Sequence, residues 1–231
     1  MILVCGDPHG EFEHIIQRVQ QAKPAAVIML GDLCLSQPFE LTFASILGLT
    51  DIWFIHGNHD TDEVRYHDHL FASSERNLHG RVVEIDGHRV AGLGGIFRSQ
   101  VWYPPEPPKH STRQDFQTHC GKGNLWRGGL PRKHRSSIFP EDIEALQGLK
   151  ADILVTHEAP GEHPYGFQVI DELAQSLEAT AIIHGHHHDP FSYGSPHRIN
   201  VGLRECIEVG QQAMAEALLR EKIKPHHHNK P

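Results

Sequence analysis

At 231 residues, with 39% hydrophobic and 22% charged side chains, the chain is long enough to bury one full core and has the composition of an ordinary globular domain. A net charge of −8 argues against a protein that coats nucleic acid nonspecifically, although a local basic site is compatible with it. The 21 histidines raise the expectation of metal or proton-transfer chemistry, and spacing has to locate it.

The apolar run at residues 1–5 is too short for a signal-peptide core and follows no basic segment; no later run reaches the length of a membrane span. A soluble, cytoplasmic protein is expected. Cys5, Cys34, Cys120 and Cys206 form no Cys-x-x-Cys pair and read as reduced thiols.

Residues 2–5 read as a strand delivering Gly6-Asp7-Pro8-His9-Gly10, and the next segment carries Phe12, Ile15, Ile16 and Val19 at helical spacing. Strand alternation can point the Asp7 carboxylate and the His9 imidazole to one side. A second strand, 25–30, ends in Gly31-Asp32, and a helical segment near 39–47 leads to a third strand at 52–55. That strand runs into Gly57-Asn58-His59-Asp60, where a glycine-permitted turn lets Asn58 and His59 emerge together. An amide oxygen beside an imidazole suits metal ligation and proton transfer. Alternating strands and helices predict a right-handed parallel unit, in which ligand-binding groups gather at the carboxyl ends of the strands. Asp7, His9, Asp32, Asn58 and His59 all fall there.

After a helical segment near 62–71, residues 81–85 and 89–93 alternate as a hairpin turned at Asp86-Gly87 and open a second sheet. Residues 98–139 differ in composition and read as a basic, aromatic, Pro-rich insertion. Between Lys109 and Arg135 Asp115 is the only acid against seven cations. Two readings stand. The insertion is either a cap whose cations attract a polyanion and whose Trp102, Tyr103, Phe116 and Trp126 stack on bases, or a solvated, mobile surface loop. His110, His119 and His134 are assigned to that surface.

A helix with Ile143, Leu146 and Leu149 then precedes a strand at 152–156 ending at His157, and a helix at 169–177 precedes a strand at 181–183. That strand enters His184-Gly185-His186-His187-His188, where period two puts His186 and His188 on one face and His187 on the other. His184 and His56 lie deeper and read as hydrogen-bonded core histidines. Strands at 198–201 and 206–209 are expected to complete the second sheet, followed by a helix at 211–222. A single domain over 1–223 and a disordered His-rich tail at 224–231 are expected.

Asp7-x-His9, Gly31-Asp32, Gly57-Asn58-His59-Asp60, Thr156-His157 and Gly185-His186-x-His188 occur in the order and approximate spacing of the calcineurin-like metallophosphoesterases, which the chain resembles over about its first two hundred residues. The resemblance implies an α/β fold, a four-layer α-β-β-α sandwich of two mixed sheets with a dinuclear metal centre at the strand ends. It implies that Asp7, His9 and His188 hold one metal, that Asn58, His157 and His186 hold the other, and that Asp32 bridges them. His59 would contact the phosphate and help protonate the leaving group, and Asp60 would orient His59. Two divalent cations about 3.5–4 Å apart neutralise a phosphate ester and activate a water as nucleophile. Manganese is expected, with iron, zinc or nickel also suited to mixed His, Asp and Asn ligands.

Leu33-Cys34-Leu35 follows Gly31-Asp32 where the protein phosphatase branch carries Asp-Arg-Gly. His9-Gly10-Glu11 and residues 90–97 are distantly similar to the lariat RNA debranching enzymes, although Asp7 stands where those have cysteine and the chain ends before their extra C-terminal domain. The preferred reading is a phosphodiesterase acting on a phosphate ester, nucleotides among the candidates. A nuclease on single-stranded RNA or DNA is the rival, and a catalytically silent interaction scaffold of the same fold is the third.

Overall fold

Short apolar runs alternate with amphipathic segments in β1 (Ile2–Cys5), α1 (Glu13–Ala22), β2 (Ala26–Met29), α2 (Phe39–Thr42), β3 (Asp51–Phe54) and α3 (Val64–Phe71). The hairpin β4 (Val82–Ile85) and β5 (His88–Leu93) follows. After it come α4 (Arg113–His119), α5 (Pro140–Leu146), β6 (Ile153–Thr156), α6 (Gln168–Ser176), β7 (Ala181–His184), β8 (Arg198–Asn200) and β9 (Cys206–Val209). The computed structural model describes residues 1–188, 191, 193–195 and 197–210; the expected helix at 211–222 and tail at 224–231 lie outside them.

The strands form two mixed sheets, β3-β2-β1-β9 and β4-β5-β6-β7-β8. Their period-two side chains sort into separate layers. From β1 and β2, Leu3, Cys5, Val27 and Met29 pack outward on Ile15 and Val19 of α1 and on Phe39 and Phe43, while Ile2, Val4, Ala26 and Ile28 face the second sheet. There they meet Val90, Ile153, Val155 and Ile183, whose strand neighbours Ala91, Leu154 and Ile182 turn away to pack on Ile143, Ile170 and Leu173. The result is the expected order of helix, sheet, sheet, helix.

Several expectations are corrected. β9 does not join the second sheet: it pairs antiparallel with β1, Ile2 opposite Val209 and Cys5 opposite Cys206, and covers the edge that β1 would otherwise expose. This pairing brings the thiols of Cys5 and Cys206 to 2.8 Å, and all four cysteines are free. The helix expected at 39–47 is regular only over Phe39–Thr42 and continues as turns.

The segment 98–139 is packed onto the domain around its own cluster of Val101, Phe116, Leu130 and Phe139. Phe116 is 7% exposed and His134 is equally buried, so Phe116 offers no face to a base and His134 is not a surface residue. Trp126 lies against His67 with the guanidinium groups of Arg127 and Arg135 over its ring. The four arginines among the seven cations are engaged within the protein. Arg113 pairs with Glu141 and Asp142, Arg127 with Asp68, and Arg132 donates to the carbonyls of Thr61 and Asp62. Among the described residues no helix is long and apolar enough to cross a membrane.

Candidate metal centre

The loops leaving the carboxyl ends of β1, β2, β3, β6 and β7 converge. Loop geometry, and not strand alternation, aims their side chains, because β1 ends at Cys5 and β7 at His184. Asp7, His9, Asp32 and His186 all adopt left-handed backbone conformations, with φ of 31°, 46°, 52° and 68°. Each costs a non-glycine residue about 1–3 kcal/mol, and such strain concentrates at functional sites.

Two groups of side chains that could hold a metal stand out. Asp7, His9 and His188 each bring one donor atom within 4.8 Å of the others, and Asp32, His157 and His186 do the same. His186 and His188 therefore serve different groups. His9 Nε2 lies 3.1 Å from His188 Nε2 and 3.8 Å from Asp32 Oδ2, while His157 Nε2 lies 3.5 Å from that oxygen. Asp32 thus stands between the groups. Asn58 Oδ1 is 3.2 Å from His157 Nε2, which places the amide on the second group. His187, expected to face the other way from His186 and His188, belongs to neither of these two groups and stacks on His163, with ring centroids 4.1 Å apart. His184 is a core histidine as expected, its Nε2 2.6 Å from the Tyr193 hydroxyl, and His56 is buried against Phe71 and His79.

The electrostatics fit cations. Asp7 and Asp32 are 0% and 1% exposed, and neither carboxylate meets a lysine or arginine among the described residues. Asp7 Oδ2 accepts from the His186 backbone N–H, but Oδ1 is buried without a hydrogen-bond partner. An orphaned buried carboxylate oxygen is costly unless a cation meets it. Burial accordingly pushes the Asp7 carboxyl up to about 7. At His157 burial opposes protonation, yet the Asp32 and Asp7 charges prevail and raise the imidazole to about 10. Burial lowers His186 to about 3, which keeps it in the neutral, ligating form, and it shifts His9 in the same direction. Two carboxylates, four imidazoles and an amide without any thiolate suit borderline divalent ions.

Gly57 is required by close approach. A Cβ there would lie 2.6 Å from His157 Cε1 and overlap Asp32. Gly57→Ala is expected to displace both ligands, lowering bound metal well below wild type and costing about 1–3 kcal/mol of stability. Metal analysis and thermal melts check this, and unchanged metal content would contradict the packing described.

His59 belongs to neither ligand group. Its backbone N–H donates to Asp32 Oδ1 at 2.8 Å, and its ring, 48% exposed, lies 5.4 Å from that of His9. The residue that meets the ring is Asp62, whose Oδ2 is 2.5 Å from His59 Nδ1. This corrects the expectation for Asp60. Asp60 is fully buried, and its two oxygens accept from the N–H groups of Gly57 and Cys34, each at 2.8 Å. It ties the turn after β3 to the loop after β2 and does not contact the His59 ring.

The family model of the calcineurin-like phosphoesterases matches residues 1–190. The chain belongs to that family. An uncharacterized protein of Haemophilus influenzae is 46% identical to the phosphoesterase over 214 residues, covering 90% of this chain and 94% of that one. Among solved structures, TT1561 of Thermus thermophilus superposes with a TM-score of 0.50 at 17% identity, covering 80% of this chain and 81% of that one. A second solved chain gives 0.53 at 16% identity, covering 87% and 90%. These two similarities carry the fold alone. Family membership makes the phosphoesterase a metal-dependent hydrolase of phosphate esters.

Two residues of the phosphoesterase escaped the sequence reading. Asp62 stands three positions after His59 across a tight 3-10 turn, His59–Thr61, so its spacing was an available signal. Glu158 carries none. It is buried beside His186 and His187, accepts from the Phe97 N–H at 3.0 Å, and is raised by burial to about 7.

Proposed function

We propose that the phosphoesterase hydrolyses phosphodiesters, with Asp7, His9 and His188 holding one divalent cation, Asn58, His157 and His186 the other, and Asp32 shared between them. Manganese is the ion we assign, and iron, zinc or nickel also suit the mixed His, Asp and Asn donors. When bound, the cations neutralise the phosphate and supply an activated water for in-line displacement.

The protein's own residues supply the rest. A carboxylate only accepts, so Asp62 fixes His59 Nδ1 as the donor and offsets the charge of the imidazolium. His59 Nε2 then carries the proton delivered to the leaving-group oxygen. Asn58, being neutral, ligates without subtracting from the positive charge that draws the phosphate in.

The observation that supports a diester is a cleft of about 620 Å³ that starts at Asn58 and Asp62 and extends past Arg98, Gln100, Tyr103 and Lys133. It gives a second ester arm somewhere to lie, beside the exposed ring of Tyr103. Single-stranded nucleic acid is the second reading, favoured by Tyr103 and Lys133 at this cleft. Against a long track for a strand stand the engaged Arg113, Arg127 and Arg132 and the buried Phe116.

The test uses chelator-stripped protein with manganese, nickel, zinc, iron or magnesium restored in turn. Bis-p-nitrophenyl phosphate is expected to be cleaved at least about tenfold more efficiently than the monoester, only with metal present. Monoester-only turnover would overturn the diester reading. If nucleic acid is the substrate, Lys133→Ala raises KM for an oligonucleotide far more than for the small diester; an equal effect removes that reading.

A further inference from the structure

We propose that His110, Asp115 and His119 form a separate divalent-cation site of zinc type on the inserted segment. None of these residues belongs to the metal centre at the strand ends. Each brings one donor atom within 4.8 Å of the others.

Local structure builds the group. Thr112 caps α4, its hydroxyl oxygen accepting from the Asp115 backbone N–H at 3.1 Å, which fixes Asp115 in the first turn. His119 follows four residues later and so lies on the same helix face. His110 precedes the cap, and its ring meets Phe116 edge to face at 5.1 Å between centroids. Phe116 is itself buried in the segment's apolar cluster, so the His110 ring is held against a fixed wall.

The carboxylate then faces one imidazole with each oxygen. Asp115 Oδ2 lies 2.7 Å from His110 Nδ1, and Oδ1 lies 3.1 Å from His119 Nδ1. Two nitrogens and a carboxylate with open positions for water are a donor set that zinc, nickel or copper accepts and that calcium or magnesium does not favour. The His119 side chain is 66% exposed, so water can complete the coordination. Two contacts compete: His119 Nδ1 also lies 2.8 Å from the Asp115 carbonyl oxygen and 3.1 Å from the Thr118 hydroxyl, and ligation through Nδ1 must displace both. The simpler account is a hydrogen-bonded triad without metal. It makes no use of the convergence of both imidazoles on one carboxylate beyond surface ion pairing, which contributes little.

A cation here joins the first and last turns of α4 to His110, two residues before its cap. It thereby stiffens a segment whose Arg132 donates to the Thr61 and Asp62 carbonyls beside His59. The expected consequence is firmer packing of the insertion, with no part in the phosphate chemistry.

The experiment compares full-length wild type with His119→Gln and Asp115→Asn. Each is stripped with chelator, dialysed against zinc buffered in the low micromolar range, and analysed for zinc per chain. Wild type is expected to retain one more zinc than either variant and to gain more thermal stability from zinc. Zinc held by the strand-end centre or by His226, His227 and His228 is common to all three proteins and cancels in the difference. Circular dichroism establishes that the variants fold. Equal zinc per chain in all three, or a difference that emerges only at millimolar zinc, would overturn the site.

Discussion

His59→Ala is expected to lower kcat for diester cleavage by about 10²–10⁴-fold, the usual contribution of a positioned general acid, while both metals stay bound. The expectation follows from position. The His59 side chain enters neither ligand group, and its link to Asp32 runs through the backbone N–H, which alanine retains. Asp62→Asn should cost less, because the ring keeps its place in the turn and loses only the carboxylate that balances its charge. The two variants separate the roles when kcat, KM and metal content are measured together. Metal loss in His59→Ala would return that imidazole to the ligand set and overturn its assignment as the acid. A substrate with an activated leaving group, which needs no proton, should recover much of the lost rate.

Metal uptake by the stripped protein is expected to tighten steeply as pH rises, by about a hundredfold per unit below pH 7 and tenfold per unit above it. The sign comes from the ligands. Ligation needs Asp7 ionised and His157 neutral. Without cations burial holds the Asp7 carboxyl up at about 7, so it binds a proton below that pH. Against the cost of its own burial, His157 is held up at about 10 by the Asp32 and Asp7 charges and binds a proton below that. Two protons must therefore leave below pH 7, and one between 7 and 10. His186, lowered by burial to about 3, is already neutral and releases none, and burial shifts His9 in the same direction. Calorimetry in buffers of different ionisation enthalpy counts the protons directly. Release of none at pH 6.5 would remove Asp7 and His157 from the ligand set.

Both predictions draw on residues that are legible in the sequence and on relations that are not. The strands were readable because buried parallel strands are short continuous apolar runs, and the motifs stood where such strands end. All seven expected ligands come together at one site. The relation between them was less readable. Period-two reasoning put His186 and His188 on one face, and the structure places them in the two different groups that the resemblance implied, with a left-handed backbone at His186. Asp60 and Asp62 are both acids within three residues of His59, and only the 3-10 turn decides which one meets its ring.

The segment 98–139 makes the same point. Its run of cations and aromatics suggested a surface for a polyanion, but composition does not register partners distant in sequence. Arg127 finds Asp68, Arg113 finds Asp142 and Phe116 finds Phe139 only after the chain has closed. Likewise β9 reads as a strand on its own residues, and its place beside β1 depended on which sheet edge was left open.

The sequence by itself determined the alternation of strands and helices, through apolar period, and the donor chemistry of the site, through the types of residue at the strand ends, while the layer order came from the family resemblance those motifs carry. The family resemblance already implied how those donors divide into two groups; only the tertiary structure decided which acid serves His59 and which protons the site holds before metal arrives. The reason is physical: residue type sets what a side chain can donate or accept, but the burial that raises Asp7 and the neighbouring charges that raise His157 exist only once distant segments pack together.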